Sequence, residues 1–384
     1  MTSFQPPVLN YSGQMFVAGC ANEASLRARI EAQIAELGPH EAFGPLACGA
    51  DILIAETLLE RGGSLHVVLP FCEEDFILQS VLCGGEAWLP RYEACRARCA
   101  SIHFATPGQY VDDDNQFAYG SRLAMGLAAL RAQALGTDAV QLAVISEAAT
   151  SFSQTGLAGT AADIRIWNNL GHPTVTVEAG EMNRALVFPP RQEAHDRVRR
   201  EVRSILFADY KGFSRLGERQ LPLFMREVMG RVGHVLDGFG THVEYRNTWG
   251  DALYAIIDEP ATAAQVALTL QHSLAELPAD LVADDASAGM RIGLHFGPVY
   301  VGVDRVTGAP LWYGGEVNRT ARIEPVTPVG DVYCTEAFAA ALLVGGCADC
   351  DFSSIGRHPL PKGFGEVELY RLSRASKSTG SKAL

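Results

Sequence analysis

The stretch SILFADYKGF at residues 204–213 decides the fold of the second half of the chain. Its short apolar run predicts a buried strand, and Asp209 stands where that run ends. A carboxylate at the tip of a buried strand is costly unless a positive charge compensates it. The stretch therefore predicts a strand that carries a carboxylate with a candidate chemical role.

The residues after this strand alternate between helical and strand patterns. Apolar side chains recur at helical spacing across 219–238, and 242–258 predicts two strands joined by a tight turn. A helical pattern at 260–277 and a long apolar strand at 290–303 come next. The order βαββαβ predicts a ferredoxin-like α+β sandwich, which we assign to residues 203–373.

The first half of the chain has a different pattern, in which single apolar runs alternate with helical stretches. This alternation predicts an α/β domain with a parallel sheet over residues 14–178, a linker at 179–202 that runs into a short helix, and a disordered tail at 374–384. The runs that predict its strands are MFVAGC (15–20), SLHVVLPF (64–71), SIHFAT (101–106), AVQLAVI (139–145) and PTVTVE (173–178). The stretches that predict its helices include 23–37, 51–62 and 118–136.

Composition excludes several classes of partner for the 384-residue chain. Its 44 acidic and 31 basic residues give a formal charge of −13, which disfavours nucleic acid as a partner. We expect no membrane span, because no uncharged apolar run reaches about 18 residues. The N-terminus lacks the features of a secretory signal, so we expect a cytoplasmic protein. Its nine Cys are expected to be free thiols, including the pair Cys347 and Cys350 of a single C-x-x-C.

A second carboxylate, Asp251, follows the tight turn in NTWGDALY. Asp209 and Asp251 on neighbouring strands would form a natural pair of oxygen ligands for Mg²⁺ or Mn²⁺, ions that also bring the phosphates of a nucleotide. Two such ions can activate an attacking oxygen and stabilise a leaving one. Taken alone, each Asp is equally consistent with an ordinary turn residue.

Two further segments carry polar residues with candidate roles. In WYGGEVNRTARIE, Asn318 and Arg322 are four residues apart, which places them on one face of a predicted helix. In PLPKGFGEVELYRL, Lys362 lies in a loop before a final strand. Each of these segments is a weak signal by itself, since such a pair and such a lysine are common on protein surfaces.

Taken together, these motifs resemble the catalytic domain of class III adenylate/guanylate cyclases, in the right order over residues 203–373. The resemblance implies that Asp209 and Asp251 bind two divalent metal ions and that Asn318 orients the ribose. It also implies that Arg322 stabilises the transition state and that Lys362 contacts the triphosphate. In the family two catalytic domains pair head to tail, so a homodimer with composite active sites is implied. YGGEV is superficially similar to the turn of diguanylate cyclases, but the order of the other motifs favours class III.

The positions that read the base in the family depart from its usual residues. Asn247 stands four residues before Asp251, where adenylate cyclases usually have Lys and guanylate cyclases Glu, and Leu311 stands seven residues before Asn318. Asn can donate and accept, so it can meet a pyrimidine edge as well as a purine. The residues expected to bind the substrate are Phe207, Asn247, Trp249, Leu311 and Tyr313.

This departure suggests a resemblance to the antiphage pyrimidine cyclases of Pycsar systems. That resemblance implies a second messenger read by a downstream cyclic-nucleotide-sensing effector. UTP is the preferred substrate and ATP the alternative. Asn247 and Leu311 are also consistent with no contact to the base at all, and a catalytically silent nucleotide-binding scaffold remains the second hypothesis for the domain.

The first half loosely resembles the Rossmann-like nucleotide-sensing domains related to the lysine-decarboxylase-like and DNA-processing A families. A ligand there is expected near Gly19, Gly49, Asp51 and Glu56, at the carboxyl ends of the strands. An ordinary tight turn in a doubly wound sheet explains the same residues equally well. We expect a regulatory domain, with a nucleotide hydrolase as the alternative.

Overall fold

The structure is a computed structural model, which describes residues 5–111, 114–146, 158–190, 199–275, 289–347 and 349–375. The chain forms two compact units, Met1–Arg197 and Val198–Leu384. In the described ranges, no helix is both long enough and apolar enough to cross a membrane.

Within its described residues, the first unit has six strands and six α-helices. Its strands are β1 (Val8–Gly13), β2 (Glu41–Gly44), β3 (Ser64–Leu69), β4 (Ser101–Phe104), β5 (Ala139–Ile145) and β6 (Thr174–Glu178). Its helices are α1 (Glu23–Leu37), α2 (Ala50–Glu60), α3 (Glu73–Phe76), α4 (Leu89–Arg98), α5 (Asn115–Leu135) and α6 (Thr160–Asn169). Short π and 3₁₀ turns between Ile77 and Trp88 join α3 to α4.

These strands form one parallel sheet in the order β4-β3-β2-β1-β5-β6. The order reverses beside β1, which pairs with both β2 and β5. Every residue of β5 is buried, as expected for a central parallel strand. The observed α/β architecture agrees with the prediction, while a relation to Rossmann-like sensing domains stays a prediction.

The sequence places the first strand of this unit at MFVAGC, and that prediction is wrong. VLNYSG (β1) is the strand, and Met15–Cys20 forms the loop that follows it. Phe16 is fully buried although it is not in a strand, because it packs edge to face on Trp88. An apolar run therefore marked a buried loop there. Strand β2 lies in a segment for which the sequence predicts no strand.

The segment predicted as a linker is in part a piece of the first unit. Ala179 is fully buried, and Met182 and Leu186 pack on the same apolar core. Backbone bonds from Val17 N–H to Asn183 O (2.8 Å) and from Val187 N–H to Cys83 O (2.9 Å) hold this segment. The predicted short helix lies largely in 191–198, outside the described residues, and a strand already begins at Arg200.

In the part of the second unit that the structure describes, there are eight strands and five α-helices. Its strands are β7 (Arg200–Lys211), β8 (Val243–Trp249), β9 (Ala252–Ile257), β10 (Gly289–Val303), β11 (Pro310–Tyr313), β12 (Val332–Thr335), β13 (Cys350–Pro359) and β14 (Glu366–Arg374). Its helices are α7 (Leu221–Phe224), α8 (Gly230–Gly238), α9 (Pro260–Ser273), α10 (Gly315–Thr320) and α11 (Glu336–Gly345). A π turn at Met225–Met229 joins α7 to α8 in one continuous helical stretch.

Seven of these strands follow the order β13-β14-β12-β10-β7-β9-β8, and β11 pairs with the far end of β10. The part β8-β9-β7-β10, with α7–α8 and α9 as its crossovers, is the predicted βαββαβ core. Strand β7 lies between β9 and β10 and is antiparallel to both. Asp209 therefore lies near the end of a strand that has a paired strand on each side.

Two local predictions differ from the structure, and a third falls largely outside the described residues. Helix α10 ends at Thr320, so Arg322 lies in the turn after it, where its N–H donates to Arg319 O (2.9 Å) because the chain tightens. Cys347 and Cys350 form a disulfide, so the prediction of two free thiols is wrong there. Their Cα atoms are 5.7 Å apart, a separation that a disulfide spans. Most of the predicted disordered tail, 376–384, lies outside the described residues.

Candidate active site

Asp209 meets a positive charge on the neighbouring strand. In the register of β7 and β10, Asp209 stands opposite Arg291. The Nη2 of Arg291 donates to Asp209 Oδ2 at 2.6 Å and lies 2.6 Å from Glu324 Oε1. The Asp209 side chain is 28% exposed, so it remains within reach of a ligand.

Asp251 lies beside Asp209, as the sequence predicts. It follows Gly250, whose φ of +65° gives the β8–β9 hairpin a left-handed turn that favours glycine. Burial raises the pKa of Asp251, and the neighbouring Asp209 carboxylate raises it further. A carboxyl group whose ionisation is opposed by a neighbouring carboxylate lies where a cation would be stabilised.

Arg291 and Glu324 were not identified from the sequence. Burial raises the pKa of Glu324 to about 7. The positive charge of Arg291 lowers this pKa, and the charges of Asp209 and Asp251 raise it by a smaller amount. Arg291 thus lies near three acidic side chains, Asp209, Asp251 and Glu324. The cluster therefore has more acidic groups than positive charges. The only sequence signal for Arg291 was a cation inside an otherwise apolar strand.

Asp209 and Asp251 fit a magnesium-type ion together with a phosphorylated substrate. Within the described ranges, no set of three or more acidic, His or Cys side chains is arranged to hold a metal by itself. Mg²⁺ commonly uses only one or two carboxylates and takes its other ligands from water and substrate phosphates. The carboxylate pair therefore suits an ion that arrives with its nucleotide.

Arg322 and the Lys362 loop form a second group of predicted residues. The guanidinium carbon of Arg322 lies 5.6 Å from the centre of the Phe364 ring. Its Nε is buried and has no hydrogen-bond partner among the residues that the structure describes. Lys362 is exposed and has a φ of +61°, in the turn Pro361–Gly363 before β14. Arg322 therefore packs on Phe364, two residues beyond Lys362 in the same loop.

The residues predicted to read the base lie on β8 and β11. Asn247 is exposed, and its Oδ1 accepts the N–H of Thr248 at 2.8 Å. Trp249, at the tip of the same hairpin, is 91% exposed. On β11, Tyr313 stacks on Tyr300 with ring centres 5.5 Å apart. Leu311 pairs with β10 and is half-buried.

Tyr254 connects these two strands, although no sequence motif indicates it. It stands opposite Asn247 in the register of β8 and β9, and its hydroxyl donates to Trp312 O at 2.9 Å. Phe207 stacks on Tyr254 with ring centres 4.7 Å apart and planes 9° apart. Phe207 therefore packs against Tyr254. Both side chains belong to an apolar cluster that includes Ile205 and Trp312.

In the first unit, three of the residues expected near a ligand are already buried, paired or closely packed. Asp51 is 3% exposed, and burial raises its pKa well above the usual range. Glu56 is held in ion pairs with Arg27 (2.9 Å) and Arg91 (2.6 Å). Gly49 has a φ of +98° before α2, and a Cβ there would come within 2.7 Å of Gln14 O. Tight packing alone accounts for the glycine.

Comparison with known proteins places the second unit in a family. Residues 195–374 match the model of the adenylate and guanylate cyclase catalytic domain. This part of the chain is a class III adenylate/guanylate cyclase catalytic domain, which confirms the fold predicted for it.

Individual relatives cover only parts of the chain. A Rhizobium meliloti protein named "Putative adenylate cyclase 3" is 30% identical over 168 residues, which make up 43% of this chain and 27% of that protein. The guanylate cyclase domain of RhGC from Catenaria anguillulae, solved in complex with GTP, is 19% identical, with a TM-score of 0.40 over 46% of this chain and 100% of its own. The adenylyl cyclase CyaB from P. aeruginosa is 13% identical, with a TM-score of 0.39 over 48% of this chain and 99% of its own.

Proposed function

We propose that the chain is a nucleotidyl cyclase, which converts a nucleoside triphosphate into the 3′,5′-cyclic nucleotide and pyrophosphate. The observation that carries this proposal is the pair of carboxylates, Asp209 and Asp251, beside Arg291 in a cyclase-type domain. Retention of Asn318, Arg322 and Lys362 with this pair supports an active enzyme over a silent scaffold.

The proposed division of labour follows from the charge of each group. Asp209 and Asp251 would hold two Mg²⁺ or Mn²⁺ ions, which supply a lowered pKa for the ribose 3′-hydroxyl and charge balance for the phosphates. Asn318 would orient the ribose by hydrogen bonding. Arg322 and Lys362 would stabilise the negative charge that develops as the α-phosphate is attacked and pyrophosphate leaves.

A homodimer with two composite sites is part of the proposal. The contacts within one chain form two groups, Asp209 with Arg291 and Arg322 with Phe364. In the proposed dimer the carboxylates of one subunit would meet Asn318 and Arg322 of the other, as the family resemblance implies. Closed twofold symmetry would create two equivalent sites.

UTP is the substrate that we favour. Because Asn247 Oδ1 accepts from Thr248 N–H, the amide Nδ2 is left to face a ligand as a donor. Uracil presents carbonyl acceptors to this donor, as guanine O6 also does, whereas the amino groups of adenine and cytosine are donors and do not complement it. The aromatic side chains around this position would also narrow the space for a base. An adenylate cyclase is the alternative.

The test is an incubation of the purified chain with Mn²⁺ and each of ATP, GTP, CTP and UTP, with products identified by mass spectrometry. Cyclic UMP as the main product is expected. An Asp351→Asn variant, which changes an exposed carboxylate on the edge strand β13, is the matched control and should keep full activity.

Other products would contradict parts of the proposal. Cyclic AMP as the main product would establish the adenylate alternative and refute the role of Asn247. No product from any of the four nucleotides would favour the silent scaffold.

We further propose a regulatory role for the first unit. We also propose a role in antiphage defence, in which a downstream effector senses the cyclic nucleotide. The support for the defence role is the resemblance to pyrimidine cyclases. Bacteria that express the chain should show fewer plaques than bacteria that express Asp209→Asn. Equal plaque counts would remove the defence role and leave the chemistry untouched.

A further inference from the structure

Helix α10 is short for an element that must place a ribose-binding side chain. It has six residues, Gly315–Thr320, and Asn318 lies exposed on it. An isolated helix of this length is unstable in water, so tertiary contacts must hold it. The contacts of its buried side chains therefore decide where Asn318 points.

Glu316 is the buried acidic residue of this helix. It is only 5% exposed, although it is charged and stands two residues before Asn318. A buried carboxylate is unfavourable unless other groups compensate it. Burial alone would raise the pKa of Glu316, but His295 and the charges of Arg319 and Arg200 hold it below the usual value.

His295 is the main partner of Glu316 and comes from the centre of the sheet. Its Nε2 lies 3.0 Å from Glu316 Oε2, and the His295 side chain is 4% exposed. On the other side of the ring, Nδ1 lies 2.8 Å from Thr335 Oγ1. Thr335 in turn accepts the N–H of Phe338 (3.2 Å) and so caps α11. One chain of polar contacts thus joins α10 to β10 and to the start of α11.

Gly297 leaves the space in which this contact forms. A Cβ at Gly297 would come within 2.8 Å of His295 Nε2 and 3.2 Å of Glu316 Cγ. No left-handed backbone angle accompanies this glycine, so the close approach of the two side chains is the structural requirement. Arg319 adds a second contact to the carboxylate at 3.1 Å, from the exposed side of the helix.

We infer that Glu316, held by His295, is a positioning residue that fixes α10 and thereby the direction of Asn318 and Arg322. Glu316 does not touch the substrate in this account. A close polar contact suits the task better than an apolar contact because it depends on the distance between two particular atoms, which sets the rotation of a short helix. The inference rests on the proposed cyclase function and assigns a positioning role within its active site.

The first test compares the kinetics of Glu316→Gln and Gly297→Ala with the wild type. Both variants should lower kcat at least about tenfold and leave KM within about threefold, because the lost alignment matters most in the transition state. Gly297→Ala removes neither partner but pushes them apart. A double variant, His295→Asn with Glu316→Gln, should be no worse than the poorer single variant.

Two kinetic results would contradict the inference. Wild-type kcat in both Glu316→Gln and Gly297→Ala would overturn it. So would an additive loss in the double variant, since independent contributions would show that the two side chains do not act as a unit. Asp351→Asn serves again as the charge-removal control.

The second test uses subunits with different defects, co-expressed with two tags and purified as mixed dimers. Asp209→Ala mixed with Asn318→Ala should restore about half of the wild-type activity, because every mixed dimer carries one intact composite site of two. Asp209→Ala mixed with Glu316→Gln should restore a similar activity. Asn318→Ala mixed with Glu316→Gln should not exceed the activity of Glu316→Gln alone, because both defects then affect the same half of a site.

The outcomes of the mixing test separate the two proposals. If Asn318→Ala rescues Glu316→Gln, Glu316 acts on the metal-binding half and the inference is wrong. If the control mixture of Asp209→Ala and Asn318→Ala shows no rescue, the composite homodimer fails. The positioning role is then decided by the change in kcat and KM.

Discussion

Acidic side chains have different surroundings in the two units. In the first unit, Asp51 and Asp163 are 3% and 4% exposed, and burial raises both pKa values. In the second unit, the Asp209 side chain is 28% exposed and pairs with Arg291. A buried, neutral carboxyl group is a poor cation ligand, whereas an accessible charged one is a good one. Exposure and a nearby positive charge therefore mark the candidate site better than position at a strand end.

The two sheets differ in a related way. The parallel sheet of the first unit has its central strand β5 buried throughout, with polar Gln141 fully enclosed. In the second unit the hairpin β8–β9 is exposed along much of β8 and ends at Trp249. A partly uncovered antiparallel hairpin can present side chains to a ligand, which a fully covered strand cannot.

The largest expected effect is the loss of turnover in Asp209→Asn and in Asp251→Asn. Each should lower kcat by about a thousandfold, since bound metal ions contribute several kcal/mol to charge stabilisation in such reactions. The rate of cyclic nucleotide formation at saturating substrate and Mn²⁺ measures this. Asp51→Asn is the control from the first unit and should retain the wild-type rate, while normal activity in Asp209→Asn would reject the metal assignment.

An intermediate effect is expected on stability when Asp163 is replaced by Asn. Burial raises the pKa of Asp163 to about 7 from an ordinary 3.8, against weaker hydrogen bonds from Ser121 and Ser12. The folded state therefore favours the protonated group, and this contribution to stability is complete below about pH 4 and is lost as the pH rises to about 7.

Asp163→Asn removes that pH-dependent loss, because the amide stays neutral. Relative to the wild type, the variant should gain about 2 kcal/mol more at pH 8 than at pH 5. Urea unfolding midpoints at the two pH values measure this difference. The same stability difference at both pH values would mean that Asp163 titrates normally.

The smallest effect is expected from Glu56→Gln in the ion-pair cluster of the first unit. Glu56 contacts Arg27 and Arg91, which also pair with Glu60 (2.6 Å) and Glu23 (2.6 Å). Because these partners are partly exposed and keep other contacts, the loss should be about 1 kcal/mol of unfolding free energy with unchanged turnover. Glu60→Gln is the comparison, and a loss of cyclase activity in Glu56→Gln would point to a ligand site there.

Much of the fold could be predicted because it depends on local patterns. The alternation of apolar residues predicts β5 at 139–145, and helical spacing predicts the helical stretch 219–238. Where the prediction failed, a tertiary contact outweighed the local pattern. The apolar run at Met15–Cys20 is a loop because Phe16 packs on Trp88, which is 72 residues away.

In the candidate site, too, some features follow from the local sequence and others only from tertiary contacts. The positions of Asp209 and Asp251 at strand ends, and the family resemblance of the motifs around them, follow from the sequence alone. Arg291 could not be assigned because its partner Asp209 is 82 residues away and meets it only through the register of β7 and β10. Tyr254 and Trp312, 58 residues apart, likewise meet only across the folded sheet.

The sequence by itself determined the βαββαβ order of the second unit's core, the division into an α/β and an α+β part, and which residues carry charge. Those features depend on the spacing of apolar and polar residues along a few turns or one strand. Only the tertiary structure decided which charges meet, as Arg291 does with Asp209 and Glu324, and His295 with Glu316. Contacts between distant segments depend on strand register and close packing, which no local pattern contains.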